Sequence, residues 1–320
     1  MLKSCDLAYH VHAIHWFWWS NGAEFYVGAL KIASLLNLDF AIIALVRYLH
    51  AKSFGGKQYH IACGQGDLAE YLLVPGDPDR VPRIASFWDS AKEVSSNREF
   101  RSFTGTYKGV AVSALSSGIG PACMSIAVNE ASNIGVRTFI RVGSTGAIQR
   151  GITCGDVIIS SAAVRLDCTS NSYIMPEYPA VANYEVLLAL IEAAESLNIQ
   201  NYHVGVTATT ADFYAGQNRP IKSHSTLETT NLLPTLQKAG VLNVEMETAT
   251  LYTLASLYGL RAGAVCAVYN TLVTNEIKRG AGEENAIKIA NESTKILSEW
   301  DAKKRKSKKS CFFPSLLQSR

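Results

Sequence analysis

The chain has 320 residues, 48% hydrophobic and 18% charged, enough for one large α/β domain or two smaller ones with a full core. That balance excludes a disordered chain and a small disulfide-stapled scaffold. The net charge of +3 rests on Lys303, Lys304, Arg305, Lys306, Lys308 and Lys309; without those six the remainder carries −3, so the body has no basic footprint for nucleic acid.

The first 58 residues differ from the rest: they hold three of the five tryptophans (Trp16, Trp18, Trp19) and His10, His12 and His15. No nearby carboxylate or cysteine pair completes those histidines as a metal site. Phe25 to Tyr48 is the one membrane candidate, and Lys31, Asp39 and Arg47 interrupt it. Its apolar residues between Lys31 and Arg47 gain roughly 3–5 kcal/mol on insertion against about 2.5–3.5 lost for a central Asp, and the unbroken runs are too short to span. A buried helix is the favoured reading; an interfacial or anchoring segment in membrane contact, and an unfolded extension, stay open. The seven cysteines (Cys5, Cys63, Cys123, Cys154, Cys168, Cys266, Cys311) are odd in number and show no C-x-x-C or zinc spacing. They predict reduced, packed thiols in a cytoplasmic protein.

From Tyr71 the pattern becomes regular. Leu72–Val74 predicts a strand running into Val74-Pro75-Gly76-Asp77-Pro78-Asp79-Arg80, a glycine turn and helix start whose N–H groups suit an anion, with Arg80 one turn on. An Asp-capped junction reads the same way in isolation. Asn97-Arg98-Glu99-Phe100 looks like ordinary surface. Val110–Leu115 predicts a second strand, followed by Ser117-Gly118-Ile119-Gly120-Pro121, a weak Gly-x-Gly signal before a helix that starts at Pro121 and ends before Gly135. Thr138–Val142 predicts a third strand, and Arg141 within it is partly buried and needs an anion. Asp156–Ser160 predicts a fourth.

Helices are predicted at about 183–198, 245–258 and 282–300. Strands alternating with helices argue for an α/β fold with a mixed central sheet flanked by helices. Phe213-Tyr214-Ala215-Gly216-Gln217-Asn218-Arg219 sets a planar amide two residues from a planar guanidinium after an aromatic pair, a combination that fits a flat heterocycle or a solvated loop. Segment 220–240 is polar and Thr-rich and reads as a long excursion, a candidate flap. Val244-Glu245-Met246-Glu247-Thr248 opens a helix, where carboxylates are expected for dipole reasons alone. The end from Asp301 reads as a disordered basic tail.

Taken in order, these motifs resemble the nucleoside phosphorylase family from about His60 to Leu297. Arg141-Val142-Gly143-Ser144-Thr145-Gly146-Ala147-Ile148, Ala163-Val164-Arg165-Leu166-Asp167 and Tyr178-Pro179-Ala180-Val181-Ala182 extend the likeness, together with Phe213-Tyr214-x-Gly216-Gln217-x-Arg219 and Glu245-Met246-Glu247. The resemblance implies a catalytic domain over 59–300, between an extension at 1–58 and a tail at 301–320 that have no counterpart in it. It implies cleavage of a pyrimidine nucleoside, uridine, by phosphate to give uracil and ribose 1-phosphate.

By that likeness Gly76, Arg80, Arg98, Arg141 and Ser144 hold phosphate, with Arg98 reaching in from a neighbouring subunit. Ser144 replaces the more usual threonine and keeps the hydroxyl. Glu245, Met246 and Glu247 hold ribose and His60 approaches the 5′-hydroxyl, while Phe213, Gln217 and Arg219 hold the base. Catalysis falls to Arg219, Gln217 and Arg141. The likeness implies no metal or cofactor beyond phosphate as co-substrate, a monovalent cation near Glu99 in some relatives, and a homodimer or hexamer. Three alternatives remain. The purine-cleaving branch expects an acid where Val268-Tyr269-Asn270-Thr271-Leu272 has none, a hydrolase needs no phosphate arginines, and a non-catalytic membrane or scaffold relative would keep only the fold. Thr271 also departs from the arginine usual after the residue matching Asn270.

Overall fold

The structure, a computed structural model, describes residues 55–217, 219 and 232–318. The amino-terminal histidines, Phe25 to Tyr48 and the 220–231 part of the Thr-rich excursion lie outside those residues. The chain divides after Gly56, and the sheet and its helices belong to the unit Lys57–Arg320. In chain order its first half comprises β1 (Tyr71–Val74), α1 (Arg80–Ala85), β2 (Ser90–Asn97), β3 (Phe100–Tyr107), β4 (Val110–Leu115), α2 (Pro121–Asn133), β5 (Thr138–Ala147) and β6 (Val157–Leu166). The second half comprises β7 (Ala180–Val181), α3 (Tyr184–Ser196), β8 (Tyr202–Thr210), α4 (Leu232–Lys238), β9 (Asn243–Glu245), α5 (Thr248–Leu257), β10 (Arg261–Thr271), β11 (Glu276–Ile277) and α6 (Glu283–Ser307).

β1 reads as a continuous apolar run because both its faces are covered. Tyr71 and Leu73 point into one core and Leu72 and Val74 into the other, the two-residue alternation of a strand. β5 and β10 repeat the device, with Ile140, Val142, Val265 and Ala267 on the first side and Phe139, Ala262 and Ala264 on the second. Helices cover each face through apolar stripes at helical spacing. Val186, Ala189, Leu190 and Ala193 of α3 join α1 and α6 on the first, and Met124, Ala127, Val128 and Ala131 of α2 join α5 on the second.

β1, β5 and β10 run parallel, with Leu72 beside Phe139 and Phe139 beside Ala262. β4 lies parallel to β1 on its outer side, and β3 and β2 continue the sheet antiparallel. On the other side β10 pairs with β6, β6 with β8, β8 with β9, and β9 returns to the end of β5, so those five strands close on themselves.

Helix boundaries follow local chemistry. Asn183 caps α3, its side-chain oxygen accepting the N–H groups of Glu185 at 3.1 Å and Val186 at 3.4 Å. Pro121 opens α2, and Gly135 takes a φ of 110° after its end. Two expectations need correction. Part of the 220–240 excursion, Leu232–Lys238, is helical. The described part of the tail, 301–318, is structured: α6 carries the basic run to Ser307, and Phe312 folds back to stack on Trp300 at 3.8 Å. Buried Asp301 and Glu185 take up Lys304, and helix C-terminal carbonyls favour the remaining cations, so a run that reads as solvated charge continues the helix. Among the described residues no helix is long and apolar enough to cross a membrane.

Candidate active site

The carboxyl ends of β1, β5 and β10 bring together the turns in which the sequence motifs lie. After β1, the Pro75 carbonyl accepts the Ser117 N–H at 2.9 Å and the Gly76 carbonyl accepts the Gly118 N–H at 3.0 Å. The contact needs glycine: Gly118 has a φ of +76°, and a Cβ there would fall 2.6 Å from Glu99 Cγ. Val74 is the register partner of Arg141, so the Gly76 turn and the middle of β5 are neighbours.

Arg141 is 3% exposed. Its Nε donates to Glu245 Oε2 at 2.9 Å, its Nη2 pairs with Glu247 Oε2 at 2.5 Å, and its buried Nη1 has no partner. A Cβ on Gly143 would lie 2.8 Å from the guanidinium carbon, so a glycine at that point of β5 lets the group lie flat along the strand. Burial opposes the charge, but the Glu247 and Glu245 carboxylates outweigh it and hold the Arg141 pKa above its ordinary value. An unmade bond at a buried charged donor costs about 1–3 kcal/mol or more, a cost that an arriving anion removes.

Glu245 has no oxygen to spare. Thr209 Oγ1 donates to it at 2.5 Å, the N–H of Glu247 at 2.8 Å and the N–H of Thr248 at 3.0 Å, in addition to Arg141. With those donors Glu245 positions Arg141 and the start of α5. Glu247 is less committed. Its Oε1 accepts the Gly120 N–H at 2.6 Å, which ties the turn before α2 to this cluster. Burial raises the Glu247 pKa, Arg141 opposes the rise, and Glu245 adds to it. Met246 is half-buried between the two carboxylates, and Ser144 is half-buried three residues beyond Arg141 on β5.

Arg80 is buried and engaged, its Nε with Glu283 at 2.9 Å, Nη1 with the Val142 carbonyl at 3.1 Å and Nη2 with the Tyr269 hydroxyl at 3.1 Å. A guanidinium has five N–H groups, so one remains on each Nη. Burial pushes the Tyr269 hydroxyl up to about 12 despite Arg80, which keeps it a neutral donor.

A second cluster reads as a base site. Gln217 is 2% exposed, and its Oε1 accepts Arg219 Nη2 at 3.2 Å. Because a guanidinium only donates, this fixes the amide and leaves its NH2 group as a donor. Arg219 also reaches Asn270 Oδ1 at 3.5 Å and covers the Phe213 ring at 4.0 Å, while Phe213 stays 44% exposed. Desolvation lowers the Arg219 pKa, with Tyr214 opposing. The sequence motifs give Asn270 no site role of its own. A register shift between Val268 and Asn270 turns this residue over β5, where a Cβ on Gly146 would come within 3.0 Å of its Nδ2. Buried Thr271 turns its hydroxyl to Thr274.

His60 and Arg98 are brought to each other and not to Arg141. Arg98 is exposed at the two-residue tip between β2 and β3, with a φ of 54° and its guanidinium 5.8 Å from the Tyr59 ring centre. Tyr59 in turn meets the His60 ring edge-on at 4.7 Å. Glu130 fixes His60 by accepting its backbone N–H at 2.9 Å and pairing with Nδ1 at 2.7 Å, so that in the neutral ring Nε2 is the acceptor. Glu99 packs on Gly118 and accepts from Cys123 Sγ at 3.6 Å. Two cavities of about 590 and 470 Å³ lie along α6 and include none of these residues.

The Phosphorylase superfamily profile matches residues 70–300. The chain is 55% identical over 262 residues to the uridine phosphorylase of Thermococcus kodakarensis, covering 82% of this chain and 94% of that relative. It is 40% identical to the uridine phosphorylase of Salmonella typhimurium, over 75% of this chain and 97% of the relative. Similarity to the guanosine phosphorylase of Halorubrum lacusprofundi is 37%, over 72% and 90% of the two chains.

Proposed function

The chain belongs to the phosphorylase superfamily, and from that premise we infer that it is a uridine phosphorylase, a pentosyltransferase cleaving uridine with phosphate to uracil and ribose 1-phosphate. The observation that carries the reading is Arg141, a buried guanidinium pinned by two carboxylates with Nη1 unpartnered, one strand from the Gly76 turn. Phosphate meets Nη1, the Gly76 N–H, the Ser144 hydroxyl and the remaining N–H groups of Arg80. Arg98 and His60, which face outward together, serve the site of a neighbouring subunit in a homodimer or hexamer. Glu247 accepts from the ribose hydroxyls, Met246 packs under the sugar, and the Nε2 of a neighbour's histidine accepts from the 5′-hydroxyl.

In the reaction a phosphate oxygen bonds C1′ while the C1′–N1 bond breaks and its electron pair moves onto the uracil ring and carbonyl oxygens. Gln217 and Arg219, fixed against each other, stabilise that charge more in the transition state than in the substrate, and the base then takes a proton from solvent. The work is done by positioned donors, with no step assigned to a metal. Asn270 supports the pyrimidine assignment over the purine one: it is an amide where purine cleavage expects an acid, and Arg219 reaches it. The proposed setting is the cytoplasm.

The test is release of free base from uridine, thymidine and inosine by the wild type and Arg219→Ala. Loss of one charge-assisted bond of about 1.5–3 kcal/mol predicts a roughly 10–100-fold fall in kcat/KM for uridine in the variant. Inosine cleaved faster than uridine would overturn the base assignment.

A further inference from the structure

The amino ends of the parallel strands, opposite the candidate active site, carry a separate concentration of charge. Tyr71, Thr138 and Arg261 are register neighbours there, where β1, β5 and β10 begin. A cavity of about 470 Å³ at this end is lined by Arg137, Arg261, Lys304, Arg305, Lys308 and Lys309, with Glu70 and Asp301 as its carboxylates.

Part of this charge is internal scaffolding. Arg261 pairs with Glu185 at 3.1 Å and Asp301 at 2.7 Å, and Lys304 with Glu185 at 2.5 Å and Asp301 at 2.9 Å. The remainder has no such use. The Arg137 guanidinium bonds the Ser132 and Val136 carbonyls, and Arg137, Arg305, Lys308 and Lys309 are exposed, with no carboxylate paired to them among the described residues. Glu70 is the one lining acid outside the internal pairs.

Helix-dipole chemistry accounts for cations on the last turn of α6, but not for Arg137, which precedes β5. Nor is this a loose basic tail. Lys308 turns the chain with a φ of 52°, the Lys309 N–H returns to the Lys304 carbonyl at 3.0 Å, and the segment beyond is clamped. Phe312 stacks on Trp300, donates its N–H to Glu185 at 3.0 Å and accepts the Tyr184 hydroxyl at 3.0 Å. Four cations without a carboxylate partner among the described residues thus line one concavity, from the turn before β5 and from the end of α6 and the turn after it.

We propose that this basic cavity at the amino ends of β1, β5 and β10 is a second binding site, for a polyphosphate anion of the triphosphate class. Clustered, fixed cations favour a ligand whose charges are themselves clustered, and lysine and arginine are the usual donors to phosphate oxygens. Cations from two separate segments that line one shallow, open concavity suit a compact soluble anion on which their charges converge, whereas a lipid surface is met by cations along a single face. The source is either the polyphosphate chain of a nucleotide or inorganic polyphosphate.

Titration calorimetry of the full chain with tripolyphosphate, UTP and orthophosphate tests this, with R305A/K308A/K309A, Arg137→Glu and Arg141→Met beside the wild type. The expected result is saturable binding of one tripolyphosphate per chain, weakened about tenfold or more in the triple variant and in Arg137→Glu, falling with added salt, and retained in Arg141→Met. The triple variant should keep wild-type phosphorolysis and melting temperature. UTP binding as tightly as tripolyphosphate identifies the phosphate chain as the recognised part, and tighter UTP binding makes a nucleotide the source. Binding that is unchanged in the triple variant, or lost only in Arg141→Met, overturns the proposal. Sedimentation with anionic vesicles that needs the same lysines while tripolyphosphate fails to saturate also overturns it, in favour of a membrane surface.

Discussion

Replacing Arg141 by Met separates the structural work of this residue from its chemical work. Removing one partner of a buried ion pair costs about 3–5 kcal/mol, because the other charge is left unpaired. Here Glu245 keeps Thr209 and the N–H groups of Glu247 and Thr248, while Glu247 keeps the Gly120 N–H and already has a raised pKa, so it takes up a proton. The expected loss is therefore at the low end, about 3 kcal/mol. Arg141→Met with Glu247→Gln, which removes the cost of holding that carboxyl protonated or unpaired in a buried site, should recover about 1–2 kcal/mol of it. The two N–H groups of Nη1 are unmade, and at about 1.5–3 kcal/mol each their loss predicts a roughly 10²–10⁴-fold fall in kcat/KM for phosphate. Urea unfolding and phosphate-dependence kinetics measure both quantities. A single variant within about threefold of wild-type kcat/KM, or a double variant less stable than the single, would mean that Arg141 does not hold phosphate through Nη1 or that Glu247 is not left without its partner.

Two further outcomes concern the end of α6. Phe312→Ala should cost about 3–5 kcal/mol, as for a buried ring lost from a core, and a chain ending at Lys309 should lose as much; thermal unfolding within about 0.5 kcal/mol of wild type would mean that the stack contributes nothing. The Asp301 carboxyl is held at about 2: burial alone would raise it, but hydrogen bonds from Arg261, Tyr71 and Lys304 outweigh that. Its folded pKa lies below the unfolded value of about 3.9, so its contribution is present in full above the ordinary carboxylate range and is lost as pH falls from about 5 to about 2, roughly 2 kcal/mol in all. Asp301→Asn should flatten denaturant stability over that interval, and an unchanged pH profile would contradict the assignment.

Much of the fold was legible because its central strands and helices carry their periodicity openly. β1 and β5 are apolar runs buried on both faces, and α2 and α3 show apolar stripes one turn apart. β2 was not legible: Ser90 to Glu93 are all exposed on an edge strand, so no alternation marks it. The length of α6 was hidden by its own charge, since the stacking of Phe312 on Trp300 that anchors its end is a long-range event. In the site, Arg141 announced itself as a charge inside an apolar run. The role of Glu245 could not be read, because one of its donors, Thr209, is 36 residues away on another strand. Asn270 reaches the base cluster only through a strand irregularity that no local pattern encodes.

Phosphorolysis is tested by following both products from uridine with the purified full chain, with and without phosphate. Uracil and ribose 1-phosphate are expected in equal amounts, formed only when phosphate is present and in proportion to its occupancy. Uracil released at the same rate without phosphate, with free ribose as the second product, would contradict phosphorolysis and make the Arg141 cluster something other than a phosphate site.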